Sequence, residues 1–352
     1  MCNIAGYIGR RQAAPILLEM IRREEGYAGG YYTGITVHDG KELHSAKSVG
    51  PLDTLLAETD AQMLKGTCGF IHSRSKSGGG HKWAQPFLTA DGRTSLIANG
   101  MGGVFKEAPG MAERWRDAAA SLERDGYVFS SRTPGAVSTY PTLPDGTCVH
   151  STDLWCQYAA RLIDGGMAPD KAMSKMMSEL PCEVVVLLMR SEEPDSIFLS
   201  RINFPMTIGV AEDGDIYFAT TRLAFPEDVR FSEITLLPPM RTYCITRGGY
   251  HTSPHPIRLN ESVADITEEF ADAAYPAFVD WLKAKDRLLE GWEIVDNFPF
   301  AWPEGAIPQT EPMLYVMLER LEREGRLGIS ELILEGAIEG YCGRKFGIYV
   351  KD

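Results

Sequence analysis

The order of strand-like and helix-like segments is the feature that most constrains the fold of this chain. Short β-branched or aromatic runs bounded by Gly, Pro, Asp or Asn predict β-strands, and they occupy residues 3–9, 34–39, 66–74, 95–100, 182–190, 196–201, 215–221 and 242–247. Apolar residues at helical spacing predict α-helices over residues 12–25, 110–125 and 152–165. The order runs from strands to helices and back to strands, which favours a layered α+β fold over regular βαβ repeats.

The composition excludes several classes of protein. The chain has 352 residues, of which 44% are hydrophobic, so it can bury a large core and its length suggests about two domains. The longest apolar run, residues 184–189, is far shorter than the roughly 20 residues of a membrane helix. The charge order of the N-terminus is not that of a secretory signal. A net charge of −13 makes sequence-independent binding to nucleic acid unfavourable.

The cysteines point to a reducing compartment. They are odd in number, widely spread and never spaced C-x-x-C, at Cys2, Cys68, Cys148, Cys156, Cys182, Cys244 and Cys342. This pattern argues against a disulfide framework and against a cysteine-based zinc site. His251 and His255 lie beside prolines, which favours linker histidines over a metal site. We therefore expect a cytoplasmic protein without a metal ion, a cofactor or an attachment to membranes.

The C-terminal part of the chain is predicted to be a separate module. Residues 259–352 carry 19 acidic and 9 basic residues and follow a linker-like segment at 251–256. Apolar periodicity predicts helices over 262–289, 312–326 and 329–340, and a final strand over 345–351. This order allows a winged-helix-like shape, but the negative charge argues against DNA binding. We expect a packing or oligomerisation element of 259–352, attached to a larger domain of 2–250.

Cys2 is the residue with the most specific chemical implication. A small residue after the initiator methionine normally permits removal of Met1, which leaves a cysteine with both a thiol and a free α-amine. That amine has an ordinary pKa of about 7.7–8.0, so it can act as the general base for its own thiol. A cysteine at position 2 is by itself best explained as a coincidence. The motifs that follow it in the sequence argue that it is functional.

Four segments follow one another in an order that matches a known family. They are MCNIAGYIGRR at 1–11, GFIHSR at 69–74, AQPF at 84–87 with IANG at 97–100, and STD at 151–153. On these motifs, residues 2–250 resemble class II glutamine amidotransferase domains, which are N-terminal-nucleophile hydrolases. Examples are the glutaminase domains of glucosamine-6-phosphate synthase and amidophosphoribosyltransferase. The resemblance implies a four-layer αββα sandwich with two antiparallel sheets, here followed by a small, mainly helical C-terminal extension.

The resemblance also implies roles for individual residues. Cys2 would attack the side-chain amide of glutamine, form a glutamyl thioester and release ammonia. The Asn99 side chain and the Gly100 backbone N–H would stabilise the oxyanion. Arg74 would hold the α-carboxylate of glutamine in a bidentate contact, and Asp153 would pair with its α-ammonium. The expected partner is a separate ammonia-accepting synthase subunit, with a homo-oligomer as an alternative assembly.

Several positions depart from the family pattern. Asn3 replaces the usual Gly after the nucleophile, and Ala98 replaces a frequent His before Asn-Gly. Ala28 and Tyr31 replace an Arg and an Asp, and the loop at 75–81 differs from the segment that covers glutamine in the family. Two alternatives therefore stay open. One is an amidase acting on another γ-glutamyl or small amide substrate, and the other is a catalytically degenerate regulatory or binding subunit.

Overall fold

The computed structural model describes residues 1–137 and 140–351, apart from the side chain of Lys106. The strands of the described residues are β1 Asn3–Ile8, β2 Tyr32–His38, β3 Leu43–Val49, β4 Cys68–Arg74, β5 Phe87–Leu88, β6 Thr94–Met101, β7 Thr133–Pro134, β8 Thr147–Cys148, β9 Glu183–Arg190, β10 Ser196–Arg201, β11 Thr207–Ala211, β12 Ile216–Ala219, β13 Phe231–Leu236, β14 Arg241–Thr246, β15 Gly249–Thr252, β16 Leu327–Ile338 and β17 Tyr341–Val350. The helices are α1 Ala13–Glu24, α2 Leu52–Glu58, α3 Gly103–Lys106, α4 Met111–Arg124, α5 Ser151–Asp164, α6 Pro169–Glu179, α7 Glu268–Lys283, α8 Gly291–Asn297 and α9 Thr310–Arg323. Within these described residues, the helices are too short or too polar to cross a membrane.

Two antiparallel sheets form the centre of the molecule. Over the described residues, the first sheet has the strand order β13-β11-β12-β1-β4-β2-β3, and the second has the order β15-β14-β10-β9-β6-β5. Each neighbouring pair in both sheets is antiparallel. The strands and helices predicted between residues 3 and 247 are all found, with ends shifted by a few residues. The N-terminal strand β1 lies in the middle of the first sheet, so the chain starts inside the fold.

Alternating side chains explain how the two sheets stack. In β1, Ala5 and Tyr7 pack with the helix α1 on the outer face, whereas Ile4 points into the core between the sheets. In β9, Val184 packs with the helices α4 to α6 on the opposite outer face, and Val185 points between the sheets. Successive side chains of a strand point to opposite faces of its sheet, and here both faces of each strand are covered. The layers therefore follow the order helix, sheet, sheet, helix, and the predicted four-layer αββα sandwich is confirmed.

The C-terminal module differs from its prediction in one element. Residues 329–340 were expected to form a helix, but they lie in β16 and its turn, and β16 pairs with β17 from Leu327↔Val350 to Ile338↔Tyr341. The segment is rich in Glu and Leu, which favour helix locally. The hairpin partner supplies backbone hydrogen bonds that local propensity does not contain, and the helix prediction is therefore wrong. The predicted final strand is found as β17.

The C-terminal module packs directly on the sandwich. Its helices and hairpin share one hydrophobic cluster that also contains Tyr27 from the first part of the chain. Arg201 Nη2 donates to Gln309 Oε1 at 2.5 Å, and Thr221 donates to a carboxylate oxygen of Glu319 at 2.8 Å. The predicted linker overlaps β15 at its first two residues. The division into domains of 2–250 and 259–352 stays a prediction.

Candidate active site

A pair of hydrogen bonds between Cys2 and Asn99 joins the two sheets at one end. Cys2 directly precedes β1 of the first sheet, and Asn99 lies near the end of β6 in the second. The Cys2 N–H donates to Asn99 Oδ1 at 3.0 Å, and Asn99 Nδ2 donates to the Cys2 carbonyl oxygen at 2.8 Å. Both residues are buried. The predicted nucleophile and a predicted oxyanion residue are thus held in contact.

The surroundings of the Cys2 thiol favour its thiolate form. The Ser75 N–H donates to Sγ at 3.4 Å, and the Ser75 hydroxyl lies 3.7 Å from the same sulfur. Burial raises the pKa of this thiol, but interactions with His72, with the N-terminal ammonium and with the Ser75 amide outweigh burial and lower the pKa to about 6. Because the thiolate is the reactive form of cysteine, these surroundings suit the nucleophilic role that the sequence predicts for Cys2.

His72 is the residue of the site that the sequence prediction missed. It lies on β4 opposite Ile4, and its Nε2–H donates to the Ala98 carbonyl oxygen at 3.1 Å. The other ring nitrogen, Nδ1, is buried, and His72 interacts with the Cys2 thiol and lowers the thiol pKa against the effect of burial. Strand alternation places His72 on the same face as Arg74, two residues later. That alternation in GFIHSR is the signal that would have found it.

Replacing His72 with Asn is expected to move the reactivity of Cys2 to higher pH. Burial raises the thiol pKa, and His72 makes the largest of the contributions that lower it. Without His72 the thiol pKa should therefore rise. Return of the pKa to the ordinary value of about 8.5 would reduce the thiolate fraction at pH 7 roughly thirtyfold. The difference should close above pH 9, because the thiolate is present above its pKa and lost as the pH falls through it. The measurement is the pH dependence of iodoacetamide alkylation at Cys2, located by mass spectrometry.

The control for this experiment is His44→Asn. His44 lies on β3, is partly exposed, and interacts with Asp39 rather than with the thiol. Two further groups act on the thiol and stay in place in both variants, namely the N-terminal ammonium and Lys345 of the C-terminal hairpin. An unchanged alkylation midpoint in His72→Asn would show that these groups, and not the imidazole, set the reactivity of Cys2.

Arg74 ends β4 with its guanidinium directed into the same site. The side chain is 1% exposed, its Nη2 donates to Ser77 Oγ at 2.5 Å and to the Gly78 carbonyl oxygen at 3.0 Å, and its cationic carbon lies 4.7 Å from the centre of the Tyr32 ring. Its Nη1 is buried and has no hydrogen-bond partner in the described part of the chain. A buried donor without a partner is costly, and a carboxylate is the ligand that this guanidinium geometry suits best.

A cavity of about 520 Å³ brings these groups together. Cys2, Arg74 and Gly100 all line it. Gly100 is exposed to the cavity at the end of β6, and a Cβ atom on it would stand 2.2 Å from the Glu183 carbonyl oxygen across the strand pair. Only glycine fits this position without displacing β9. The predicted nucleophile, carboxylate-binding residue and oxyanion glycine therefore share one cavity.

Asp153 occupies a different position from the other predicted site residues. It lies in the first turn of α5, and its carboxylate accepts from the Ser131 N–H at 2.8 Å, from the Ser130 hydroxyl at 3.2 Å and from Gln157 Nε2 at 3.0 Å. Among the described lining residues of the cavity are Thr152 and its neighbour Ser151, but not Asp153. In this structure Asp153 orders the segment before α5. Its predicted contact with a substrate ammonium stays a prediction.

Met1 lies beside Cys2 in the cavity. Gly29 donates its N–H to the Met1 carbonyl oxygen at 3.2 Å, and Met1 is one of the lining residues. While Met1 is attached, the Cys2 nitrogen is part of a peptide bond and has no basic lone pair. Removal of Met1 would create the α-amine at a nitrogen that already lies 3.0 Å from Asn99 Oδ1.

Two departures from the family pattern have partners in this structure. Asn3, in place of Gly, accepts from the Ala28 N–H at 3.1 Å and approaches the Tyr315 hydroxyl at 3.5 Å. Tyr31, in place of Asp, packs with Ile338 of the C-terminal hairpin, and the Lys345 ammonium lies 5.0 Å from its ring centre. Asn3 and Tyr31 thus both contact the C-terminal module.

Comparison with known proteins relates this arrangement to enzymes with described activities. No protein-family model matches the chain. A glutamine–fructose-6-phosphate aminotransferase of Chlorobaculum tepidum is 29% identical over 255 residues, which cover 71% of this chain and 37% of that protein. The corresponding protein of Thermococcus kodakarensis is 24% identical over 229 residues, covering 64% and 33%. The predicted resemblance to class II glutamine amidotransferases is confirmed.

Solved structures support the same fold. The glutamine phosphoribosylpyrophosphate amidotransferase of B. subtilis aligns with a TM-score of 0.56 and 17% identity, over 77% of this chain and 52% of that one. A structure described as the allosteric regulatory enzyme of purine biosynthesis aligns with a TM-score of 0.57 and 16% identity, over 89% and 63%. The chain spans about a third of the length of the curated relatives it matches. The similarity to class II glutamine amidotransferases therefore concerns their shared domain and not the whole enzymes.

Proposed function

We propose that this chain is a glutaminase-type amide hydrolase, which converts glutamine to glutamate and releases ammonia for an acceptor. The observation that carries the proposal is the cavity shared by Cys2, Gly100 and Arg74, with the Cys2 backbone bonded to Asn99. Amide hydrolysis through a thioester requires an activated thiol and donors for the oxyanion. Glutamine adds a carboxylate, and Arg74 has an unpartnered buried donor for it.

The reaction proceeds in two displacements at the side-chain carbonyl carbon. The Cys2 thiolate attacks this carbon, and the Gly100 N–H and the second hydrogen of Asn99 Nδ2 stabilise the oxygen anion that forms. The carbon–nitrogen bond then breaks, ammonia leaves with the proton taken from the thiol, and a glutamyl thioester remains on Cys2. Water attacks the thioester carbon, the carbon–sulfur bond breaks, and glutamate is released.

The base for these steps is the α-amine of Cys2 once Met1 is removed. Its ordinary pKa of about 7.7–8.0 permits it to take the thiol proton and pass it to the leaving nitrogen. His72 supports the same transfer, because its interaction with the thiol lowers the thiol pKa. The two groups approach the sulfur from different strands, so loss of one leaves the other in place.

The test is the intact mass of the purified protein before and after treatment with 6-diazo-5-oxo-L-norleucine, a glutamine-like diazo-ketone. The expected result is a mass lacking Met1 and a single adduct located on Cys2. L-glutamine should protect against the adduct, and D-glutamine, which places its ammonium and carboxylate differently, should not. Release of ammonia from L-glutamine is measured on the same sample.

Two results would contradict the proposal. A protein that lacks Met1 but takes up no adduct and releases no ammonia would exclude glutamine as the substrate. A protein that retains Met1 and shows neither reaction would favour the regulatory or binding subunit. A protein that forms the adduct and releases ammonia supports the proposal whether or not an acceptor is added.

We also propose a cytoplasmic protein that passes ammonia to a separate acceptor subunit. The seven cysteines are unpaired in the structure, which suits a reducing compartment. The similarity covers only part of the length of the relatives, and this proposal places the acceptor chemistry on another chain. Copurification of the tagged protein from its own cells, followed by a test of whether the copurified chain consumes the released ammonia, examines this assignment. A homo-oligomer without such a chain would count against it.

A further inference from the structure

The cavity beside Cys2 has two halves of different chemistry. The half around Arg74 is polar and includes Ser77 and the Tyr140 hydroxyl, which lie 3.3 Å apart. The other half, called the apolar annex below, is lined by Met101, Met111, Trp115, Trp155, Cys182 and Val184. The Trp115 and Trp155 rings lie with their centres 5.3 Å apart and their planes tilted by 58°. Cys2 and Gly100 line the same cavity, so the annex belongs to the reaction site.

The cavity is larger than glutamine requires. Its volume of about 520 Å³ lies within the range of about 300–1,000 Å³ typical of sites that enclose drug-sized ligands. Glutamine is much smaller than such a ligand, and Arg74 and Cys2 serve its carboxylate and its side-chain amide. With glutamine alone, Met101, which is 53% exposed, would face water at the rim of the annex, and the other annex residues, which are largely buried, would border the unfilled space. Filling the annex with apolar atoms would remove that surface from water and favour binding.

The strand register shows which part of a substrate would enter the annex. Gly100, at the oxyanion position, is followed directly by Met101, and it lies opposite Val184 in the pairing of β6 with β9. A carbonyl group held at Gly100 thus lies next to the annex, while Arg74 holds the other end of the acyl group. The substituent on the amide nitrogen is therefore the part of the substrate that would bind in the annex.

The charges around the cavity define that substituent further. Arg74 and Arg116 are the charged side chains of the described lining, and none of the described lining residues carries a carboxylate. A substituent with a positive charge would find no counter-ion there. An uncharged apolar group on the nitrogen is therefore the best match, and the amine that leaves is free to gain a proton and depart into solvent.

We propose that the preferred substrate is a γ-glutamyl amide whose nitrogen carries an apolar, preferably aromatic, substituent. This inference rests on the proposed function, because it uses the same thioester chemistry at Cys2. The thiolate attacks the γ-carbonyl carbon, the carbon–nitrogen bond breaks, and the nitrogen leaves as a primary amine with the proton from the thiol. Water then releases glutamate from the thioester. Ammonia is the product only when the substituent is hydrogen.

The experiment compares L-γ-glutamyl-benzylamide with L-glutamine on the full-length protein, with glutamate release as the readout. We expect kcat/KM for the benzylamide to exceed that for glutamine by about ten- to a hundredfold, the usual discrimination from filling an apolar pocket. The variant Ala112→Trp adds bulk to the annex from an exposed position of α4. It should lower the benzylamide-to-glutamine ratio at least tenfold.

The matched control is Glu113→Trp, an exposed neighbour on the same helix that does not line the cavity. It should leave the ratio unchanged. A wild-type preference for glutamine, or an equal effect of Ala112→Trp and Glu113→Trp on the ratio, would overturn the inference while leaving Cys2-dependent glutaminase activity intact. Failure to hydrolyse either compound would instead overturn the proposed function.

Discussion

Cys2→Ala is expected to reduce amide hydrolysis by more than about 10³-fold, because the other thiol of the described cavity lining, Cys182, is buried and burial raises its pKa. The structure places the sulfur next to Ser75 and lowers its pKa to about 6, so the variant removes the one activated thiol. Cys2 is buried, and loss of a single sulfur from a buried site should cost about 1 kcal/mol of stability. The measurements are glutamate release and Tm on the same preparation.

Cys342→Ala serves as the control for Cys2→Ala. Cys342 lies in the C-terminal hairpin and is partly exposed, and it has no contact with the cavity. It should keep wild-type activity and remove one site of background alkylation. Activity of Cys2→Ala within tenfold of the wild type would disprove the thioester mechanism. A large fall in Tm would instead assign the Cys2 side chain a structural role, since its backbone bonds to Asn99 are kept in the variant.

The sandwich could be predicted because the apolar pattern of each strand shows which faces of that strand are buried. Val184 and Val185 face opposite layers, and the continuous apolar run around them is typical of a strand buried on both sides. The segment at 329–340 had no such signal. Its Glu and Leu residues favour helix locally, and its strand depends on pairing with β17, which follows a turn at Gly340 with φ of 86°. Pairing between neighbours in a hairpin overrides weak propensity.

Sequence reasoning identified the candidate site residues whose side-chain type suggests their chemistry. It missed a residue whose effect depends on where the fold places it. Cys2 and Arg74 were found because a thiol and a guanidinium have few substitutes in this chemistry. His72 was missed because its effect on the Cys2 thiol depends on its position in the fold, where Nε2 donates to the Ala98 carbonyl oxygen. Asp153 lies in its predicted motif, but its carboxylate accepts a hydrogen bond from the Ser131 backbone N–H. A motif identifies which residues are present, and the neighbouring loop decides where their polar atoms point.

Asn99→Asp is expected to lower kcat by about 10²–10³-fold, the usual cost of losing one oxyanion donor. The substitution keeps the shape of the side chain. It also keeps an acceptor oxygen for the Cys2 N–H, which in the wild type lies 3.0 Å from Asn99 Oδ1. It removes the Nδ2 donor that bonds the Cys2 carbonyl oxygen at 2.8 Å, and with it the second hydrogen available to the transition state. A negative charge at this place also opposes the developing oxyanion. The readouts are kcat and KM for amide hydrolysis, together with Tm.

The split between kcat and KM decides what Asn99 does. A donor that acts on the oxyanion is used mainly in the transition state, so kcat should fall while KM changes little. Asn297→Asp, at an exposed site where the side chain donates to the Glu293 carbonyl oxygen, controls for an added charge and should leave both constants unchanged. A raised KM with an intact kcat would place Asn99 in ground-state binding. The oxyanion would then depend on the Gly100 N–H, which is the donor that β6 fixes without any side chain.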